Sequence, residues 1–407
     1  MKHRTFQRNA HTIHVTTLDS GCEIISIDRN SVSKAIHLLA RSGGIHDVIP
    51  GEAHYLEHMM AGAGPGKAMH ELFMAQRKKG LKVNAGTSLA GVDYLAMGLA
   101  GHVLPTIEDL FTIMLKRRFN EEWVESERGA ISEEALEHSA DQVDNWREAT
   151  LFPSVAEKLH VTGTQESIPK ITAEGLRAYH KKHYHTGNMA VLAVGIDHER
   201  VIERVLPLVQ SVPVGKPSEM ISLKPRVLTD SFEAETSDAI EFHFAWPKST
   251  EELVKLMFFV GMLGALEGPL MKRLRDKEEL IYGVLSWRQP APVNTVSIKI
   301  SCHRSKHEYI IEAFFEELEK LLSNPIDAEL WATVQTQMLT SYAEMADSTP
   351  YRLASIFSSH WIVGRLDAVD HLKLLTSLSQ EEVQELARKW LNRKSAAILC
   401  LHNTHTS

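Results

Sequence analysis

Residues 51–62 read GEAHYLEHMMAG, and three of their polar side chains have the spacing of one helix face. His54, Glu57 and His58 stand at positions i, i+3 and i+4, which lie above one another on an α-helix. Two imidazoles one turn apart can bind a single zinc ion, while the carboxylate between them stays beside the metal. Their neighbours are mostly apolar, and burying these three groups would be costly without such a partner.

The pattern His-x-x-Glu-His is also the signature of the inverzincin group of zinc peptidases. A catalytic zinc site needs three protein ligands and one open position for water. A nearby carboxylate can then take the proton of that water. The pattern has only three fixed positions, however, and the chain contains 22 histidines. A helix with two ordinary polar histidines therefore stays an open alternative.

A third zinc ligand must come from another part of the chain. Segment 125–136, ESERGAISEEAL, is rich in carboxylates and is predicted to be helical. Glu127 and Glu134 are two turns apart, so they share a face of this helix. The charge pattern by itself favours a solvent-exposed acidic helix, and spacing alone does not select a ligand here.

Length, charge and cysteine content restrict the class of protein. The chain has 407 residues and a hydrophobic fraction of 43%. A single core rarely grows that large, so two domains are expected. The formal net charge of −8 gives no general attraction to nucleic acid or to an anionic membrane. The three cysteines are far apart and lack metal-site or disulfide spacing, which indicates reduced thiols: Cys22, Cys302 and Cys400.

The chain shows no segment that predicts membrane insertion or secretion. Its longest apolar run, residues 256–266, is too short to cross a bilayer and is expected to be a buried helix. The first 15 residues lack the apolar stretch of a signal peptide. We therefore expect a cytoplasmic protein without a membrane or nucleic-acid partner.

The order of predicted elements repeats in the two halves of the chain. Residues 213–225 contain three prolines and little periodicity, which predicts a linker. Strands are predicted at 13–18, 22–27, 35–40, 190–196, 239–245, 293–302 and 396–402. Helices are predicted at 69–79, 104–118, 121–139, 172–183 and 251–275. We predict an α+β fold with two domains of related plan, each an antiparallel sheet packed with helices: residues 1–215 and 226–407, joined by the linker 216–225.

The motif and the carboxylates that follow it resemble the pitrilysin/insulinase family of zinc peptidases. In that family the glutamate ligand lies just under eighty residues beyond the second histidine, and Glu134 lies 76 residues after His58. The adjacent Glu133 is the second choice. Glu127, one heptad earlier, matches the family's supporting acid. The chain has the length of the short two-domain form, which includes mitochondrial processing peptidase.

Three further segments resemble the same family. Residues 82–87 resemble the strand on which the family pairs an extended peptide, which would place the substrate beside Asn84, Ala85, Gly86 and Thr87. Residues 161–197 resemble the family's Gly-Thr to Gly-Asp stretch. Arg275 and Tyr282 are seven residues apart, as in active members. There this pair reaches the catalytic centre from the opposite half of an enclosed chamber.

Two loops depart from the family pattern. Residues 61–66, AGAGPG, replace the usual Phe-x-Gly-Thr that follows the motif. The His-Pro-Leu-Gly that commonly precedes the Gly-Thr segment is absent. Because these loops shape the cleft, the resemblance does not imply a particular substrate preference.

The resemblance implies a zinc endopeptidase that hydrolyses peptides or unfolded segments inside a dimeric chamber. His54, His58 and Glu134 would bind Zn²⁺, and Glu57 would take the proton of the attacking water and later protonate the leaving amine. Glu127 would support the site. Tyr282 and Arg275 would stabilise the charged intermediate or grip the peptide backbone, as the oxyanion donors of other hydrolases do.

Two questions about partners and activity follow from the same resemblance. A chain of this length carries both motifs, which favours a homodimer in which Arg275 and Tyr282 of one subunit face the zinc of the other. A heterodimer with a related subunit is the other arrangement. A non-catalytic scaffold subunit of the same family is the alternative function.

A second group of histidines lies near the end of a predicted helix. His180, His183 and His185 occur in YHKKHYHTGN. Cationic side chains suit the C-terminal end of a helix dipole, so we interpret this group as a solvated helix end and not as a second metal site.

Overall fold

A computed structural model of the chain describes residues 1–61, 68–115, 120–139, 141–247, 249–289, 292–367 and 369–405. The chain forms two compact units, and each is assembled from separate stretches of sequence. Unit 1 comprises residues 1–140, 155–221 and 346–368. Unit 2 comprises residues 141–154, 222–345 and 369–407.

These units divide the chain differently from the two continuous domains that we predicted. They part between residues 221 and 222, within the predicted linker 216–225, and residues 213–228 form neither helix nor strand. Residues 141–154 pack in unit 2, however, and residues 346–368 pack in unit 1. The prediction assigned both segments to the other unit, because a local sequence pattern indicates which element forms and not which sheet it packs against.

Unit 1 is built on a seven-stranded sheet in the order β1-β2-β3-β7-β4-β6-β5, with strands numbered along the chain. The strands are β1 (Lys2–Arg8), β2 (His11–Thr17), β3 (Glu23–Ile27), β4 (Ser33–Ala40), β5 (Lys82–Thr87), β6 (Val92–Leu99) and β7 (Met189–Val194). The helices of this unit are α1 (Glu52–Ala61), α2 (Ala68–Lys78), α3 (Ala100–Val103), α4 (Ile107–Leu115), α5 (Glu121–Ser139), α7 (Ala156–Leu159), α8 (Ala173–His183), α9 (His198–Val209) and α13 (Pro350–Ile362).

The alternation of side chains along a strand places one hydrophobic core on each face of this sheet. On β4, Ile36 and Leu38 belong to the core that includes α1 and α5. Leu39, from the opposite face of the strand, belongs to a second core with Phe357 and Trp361 of α13. The sheet therefore holds α1 and α5 together on one face, while the exchanged segment 346–368 covers the other.

Unit 2 is built on a five-stranded sheet in the order β10-β11-β9-β12-β8. The strands are β8 (Thr229–Ala234), β9 (Ala239–Ala245), β10 (Ile281–Gln289), β11 (Thr295–Cys302) and β12 (Ala397–Asn403). The helices are α6 (Gln142–Leu151), α10 (Thr250–Gly264), α11 (His307–Ser323), α12 (Ala328–Ala346), α14 (His371–Ser377), α15 (Gln380–Trp390) and a π-helix, Met271–Lys277. Its core combines buried aliphatic residues with aromatic ones, among them Phe242, Phe258 and Phe314.

The two sheets share one topology. The order β3-β7-β4-β6-β5 in unit 1 corresponds strand for strand to β8-β12-β9-β11-β10 in unit 2. In each series the first pair is parallel and the other pairs are antiparallel. The predicted α+β class with two domains of related plan is confirmed, although both sheets are mixed and not purely antiparallel.

Some predicted elements differ from the observed ones. The single helix predicted at 251–275 is divided into α10 and the π-helix by the turn at residues 265–268, which includes Gly268. Strands β1 and β8 were not predicted, because most of their residues are exposed and show little apolar alternation. Residues 62–67 of the variant loop and residues 116–119 of the predicted helix 104–118 lie outside the described residues.

Candidate metal centre

The loop before α1 fixes the start of this helix. The buried carboxylate of Asp47 accepts hydrogen bonds from the backbone N–H groups of Gly51 (2.8 Å) and Ala53 (3.1 Å). Glu52 accepts two more from residues 48 and 49. These bonds satisfy donors at the helix start, where no intrahelical acceptor is available. Because most of α1 is also buried, its direction and its rotation are both set by the fold.

Three donor groups from α1 and α5 meet at one point. Nε2 of His54 lies 3.4 Å from Oε1 of Glu134, and Nε2 of His58 lies 3.3 Å from Oε2 of the same carboxylate. One donor atom from each residue lies within 4.8 Å of the others. Three donors about 2.1 Å from one ion at tetrahedral angles would be about 3.4 Å apart. The two measured distances run to different oxygens of Glu134, so the group fits zinc in donor chemistry and has its donor atoms close enough together to share one ion.

The acidic residues near Glu134 on α5 lie in different environments. Oε2 of Glu127 lies 3.9 Å from Nδ1 of His58, on the other side of the imidazole from Glu134. Glu133 points away and is exposed. The helix thus presents Glu127 and Glu134 to α1 together, while the acidic residues on its outer face remain in solvent.

Glu57 lies beside the three donors and is not one of them. It is 9% exposed, and Oε2 accepts a hydrogen bond of 3.2 Å from the hydroxyl of Thr87 on β5. Burial raises the pKa of Glu57 above its ordinary value, although His58 and the Thr87 hydroxyl oppose this shift. A buried carboxylate held at one oxygen leaves its other oxygen for a proton transfer.

His54 is in the protonation state that a metal requires. Burial, together with the neighbouring His58, lowers the pKa of His54 to about 4, although Glu134 opposes the shift. The imidazole is therefore neutral at neutral pH, which is the form that binds a metal. Its Nδ1 atom is buried and has no hydrogen-bond partner among the described residues.

The predicted substrate strand lies at the edge of the first sheet. β5 pairs with β6 on one side, and no strand of the described residues pairs with its other side. Asn84 and Gly86 are exposed, and Ala85 is half-buried. Thr87 was predicted to contact substrate, but its hydroxyl is turned toward Glu57.

Arg275 and Tyr282 belong to unit 2, whereas all three donors belong to unit 1. Arg275 is exposed in the π-helix, and π-helices occur frequently at functional sites. Tyr282 lies where the pairing of β10 with β11 shifts register between Ile281 and Gly283. Such an irregularity re-aims a side chain, and Tyr282 is 88% exposed.

Comparison with known proteins identifies the family. Residues 24–165 match the family profile described as insulinase (peptidase family M16). Residues 170–338 match the profile described as the peptidase M16 inactive domain. The two matches together span more than half of the chain. The chain belongs to peptidase family M16. The predicted resemblance is confirmed.

Several known proteins match almost the whole length of this chain. An uncharacterized zinc protease of Streptomyces coelicolor is 23% identical over 94% of this chain and 88% of its own length. A peptidase M16 inactive domain from Pseudomonas fluorescens has the same fold, with a TM-score of 0.81, 15% identity and coverage of 97% and 99%. The periplasmic protease PqqL from Escherichia coli matches with a TM-score of 0.76 and 17% identity, over 98% of this chain but only 48% of PqqL.

The two M16 profiles cover different sets of the predicted site residues. The donors and Glu57 fall within residues 24–165, and Arg275 and Tyr282 fall within residues 170–338. In unit 2, α10 follows β9 as α1 follows β4 in unit 1, yet residues 250–264 contain no histidine. The description of the second profile as inactive therefore agrees with the loss of donors at the equivalent helix.

The second histidine group does not have the predicted environment. His180 and His183 are buried, and Nε2 of His180 is 2.8 Å from the backbone oxygen of Met114. The prediction of a solvated helix end is therefore wrong, because the helix end packs into the core. Among the described residues, the group formed by His54, His58 and Glu134 meets the spacing of a metal site, and these histidines do not.

Sequence reasoning missed residues that hold the site without belonging to it. The hydroxyl of Tyr55 on α1 donates to the backbone oxygen of Val124 on α5. Arg128 of α5 donates to backbone oxygens of residues 168 and 171. Asp47 lies five positions before Glu52 and therefore outside the position at which an aspartate marks a helix start. The other two contacts join distant segments and have no local signature.

Proposed function

We propose that this chain is a zinc-dependent endopeptidase that acts on peptides or unfolded segments. The proposal rests on one observation above all. His54, His58 and Glu134 bring three donor atoms within 4.8 Å of one another, and Glu57 lies beside them. Membership of family M16, and relatives that are named zinc proteases, support the same function.

The residues around the site have separate tasks in hydrolysis. Bound zinc would lower the pKa of water and polarise the scissile carbonyl group. Glu57 takes the proton of the attacking water and delivers it to the leaving amine. The Thr87 hydroxyl holds Oε2 of Glu57 in place for both transfers. Glu127 orients the imidazole of His58 from the side opposite Glu134.

The free edge of β5 provides a place for the peptide. An extended chain can add to an unpaired strand edge through backbone hydrogen bonds, which are largely independent of sequence. The exposed Asn84 and Gly86 lie on this strand, and Thr87 connects it directly to Glu57. A peptide paired here would lie beside the proton acceptor, which suits an enzyme that cleaves unfolded segments.

A dimer would complete the site. The match covers 48% of PqqL, and the other part of PqqL lies outside it. We propose that a second copy takes that place, so that Arg275 and Tyr282 of one copy reach the donors of the other. The nearly complete exposure of Tyr282 supports a role at a surface that meets a partner. A two-fold dimer is the commonest closed assembly.

A scaffold subunit without activity is the competing function. One solved relative is described as an M16 inactive domain, and the second profile carries the same description. The complete donor set of this chain favours the enzyme. The two functions can be distinguished by experiment, because an enzyme needs the carboxylate of Glu57 for peptide cleavage and a scaffold does not.

The experiment measures zinc content and cleavage of a mixed peptide library for the wild-type protein and for Glu57→Gln. We expect about one zinc per chain in both proteins, and cleavage by the wild type alone. A matched control is Glu133→Gln, which changes an exposed acid on α5. Zinc binding without cleavage of any peptide, or equal cleavage by Glu57→Gln, would contradict the proposed activity.

A further inference from the structure

Residues 163–172 contact both helices that supply the donors. We call this segment the brace; it includes a short 3₁₀ helix, Ile168–Lys170. At one end it meets the entry to α1. The hydroxyl of Ser167 donates to the backbone oxygen of Pro50 at 2.8 Å. Gly51 and Gly163 pack so closely that a Cβ atom on Gly51 would lie 2.8 Å from Cα of Gly163.

The same segment holds α5 along its length. The guanidinium of Arg128 donates through Nη1 to the backbone oxygen of Ile168 and through Nη2 to that of Ile171, at 3.2 Å for the latter. Nε of Arg128 bonds Glu125 at 2.8 Å, which fixes the planar group in its own helix. Gln165 donates to the backbone oxygen of Ser132 at 2.7 Å. A planar fork of this kind is suited to two acceptors at once.

The side chains of α5 divide into three adjacent stripes at about 100° per residue. The first stripe faces the histidines (Glu127 and Glu134), and the second is buried in the core (Val124, Ile131 and Ala135). On the third stripe, Arg128 bonds the brace through its side chain, Ser132 bonds it through its backbone oxygen, and Glu121 accepts from the backbone N–H of Ala173, directly after the brace. A narrow apolar stripe allows a helix to roll about its own axis. Contacts on the third stripe oppose that roll.

The size of the effect follows from the geometry of a helix. Side-chain ends lie about 5–6 Å from the helix axis, so a roll of about 20° moves a carboxylate by about 2 Å. Zinc–oxygen distances in proteins are about 2.0–2.2 Å, and a site tolerates deviations of about 0.2 Å. A small rotation of α5 would thus remove Glu134 from the point where His54 and His58 meet.

We propose that the brace and Arg128 set the rotation of α5 relative to α1, so that Arg128 is a positioning residue for zinc binding although it contacts no donor. This inference rests on the zinc site proposed above. It assigns a role to the stretch around Gly163 and Thr164, which the proposed chemistry does not use. Both helices and the brace belong to unit 1.

The test compares zinc dissociation constants of the intact protein and of three variants, measured by competition with a chelator. Arg128→Met removes the fork and keeps the chain length, Arg128→Lys keeps the charge and one donor group, and Ser167→Ala loosens the other end of the brace. Arg200→Met is the matched control, because it removes an exposed arginine from α9 in the same unit. Each protein is also unfolded thermally without zinc, and binding is measured well below the midpoint.

We expect Arg128→Met to weaken zinc binding about 10-fold, the lower end of the range for a residue bonded directly to a ligand, because Arg128 acts on Glu134 only through the rotation of α5. Arg128→Lys should lie between it and the wild type, and Arg200→Met should bind normally. With Co²⁺ in place of zinc, the visible spectrum of Arg128→Met should change, because a carboxylate ligand is misplaced. If Arg128→Met does not fold, Arg128→Lys and Ser167→Ala carry the test.

The outcomes separate the brace from the zinc site itself. The proposed role of the brace would be rejected, and the zinc site would stand, if folded Arg128→Met had wild-type zinc affinity and cobalt spectrum. The same result for folded Arg128→Lys and Ser167→Ala would have the same meaning. Wild-type protein that binds no zinc would overturn both. A purely structural role would lower the unfolding midpoint and leave the zinc affinity of the folded protein unchanged, which also overturns the proposal.

Discussion

Nε2 of His58 lies 3.3 Å from Oε2 of Glu134, although 76 positions separate the two residues in the sequence. The contact joins α1 to α5 on one face of the first sheet. Two ion pairs explain this arrangement poorly, because both imidazoles would have to be protonated to pair with the carboxylate. Burial lowers the pKa of His54 to about 4, so a shared cation accounts for the arrangement better.

The donor assignment predicts the zinc content of single variants. We expect zinc affinity to fall in each of His54→Ala, His58→Ala and Glu134→Ala. The fall should exceed the roughly 10–100-fold that is lost when a residue hydrogen-bonded to a metal ligand is removed. Glu133→Ala should keep it, because Glu133 is exposed. Metal analysis after dialysis against a weak chelator provides the measurement. Full zinc occupancy in Glu134→Ala, with loss in Glu133→Ala, would show that the ligand is the neighbouring residue.

The position of Glu57 predicts a loss of turnover without a loss of metal. Glu57→Gln keeps the size and the hydrogen bond to Thr87 but cannot carry the proton, and general acid–base groups contribute about 10²–10⁴-fold. We expect kcat to fall by that factor at normal zinc content. Thr87→Val should reduce kcat less, because it only releases one oxygen of Glu57. Near-normal turnover of Glu57→Gln would rule out the assigned role.

The proposed dimer predicts complementation between two inactive proteins. Glu57→Gln is mixed with Tyr282→Phe under conditions in which subunits exchange. If sites are shared between copies, each mixed dimer has one intact site, and random exchange restores about one quarter of the wild-type activity. Glu57→Gln mixed with the double variant Glu57→Gln/Tyr282→Phe is the control and should stay inactive. Confirmed exchange without recovery would mean that each chain completes its own site.

A buried ion pair in unit 2 predicts how stability depends on pH. Arg147 of α6 donates to both oxygens of Glu241 on β9, at 2.6 and 2.9 Å, and Glu241 is fully buried. Burial alone would raise the pKa of Glu241, but the bonds from His243 and Arg147 lower it from 4.5 to about 2. A lowered pKa stabilises the folded state above the unfolded value of 4.5. That stabilisation is lost as the pH falls toward 2.

The shift corresponds to about 3 kcal/mol at neutral pH, of which roughly 1–1.5 kcal/mol is lost between pH 6 and pH 3.5. The difference in free energy of unfolding between the wild type and Glu241→Gln should therefore shrink by that amount over this range. Denaturant titration at the two pH values measures it. Glu267→Gln, an exposed acid of the same unit, should show no such change. A constant difference for Glu241→Gln would contradict the assignment.

Several local features could be predicted from the sequence because their causes are local. The helix predicted at 121–139 is observed with those bounds, since its apolar stripe lies within the segment. The Thr172 hydroxyl caps α8 by accepting from the Gly175 N–H, a local contact that a threonine directly before a helix favours. The spacing of His54, Glu57 and His58 follows from the helical repeat alone.

Other features depend on contacts between distant residues. The sequence placed Glu133 and Glu134 side by side, and only the rotation of α5 against α1 directs Glu134 to the histidines and Glu133 to solvent. The packing of residues 141–154 in unit 2 depends on contacts such as the ion pair between Arg147 and Glu241, which are 94 positions apart. The turn of Thr87 toward Glu57 also depends on where β5 meets α1.

The sequence by itself determined which helices and strands form and which residue types can bind a metal, because hydrophobic periodicity and helix caps act over a few residues. The tertiary structure decided which of several carboxylates completes the site and which segments belong to each unit. Those choices are made when apolar stripes pack and set the rotation of each element. A rotation of about 20° moves a side chain by about 2 Å, and no short stretch of sequence records it.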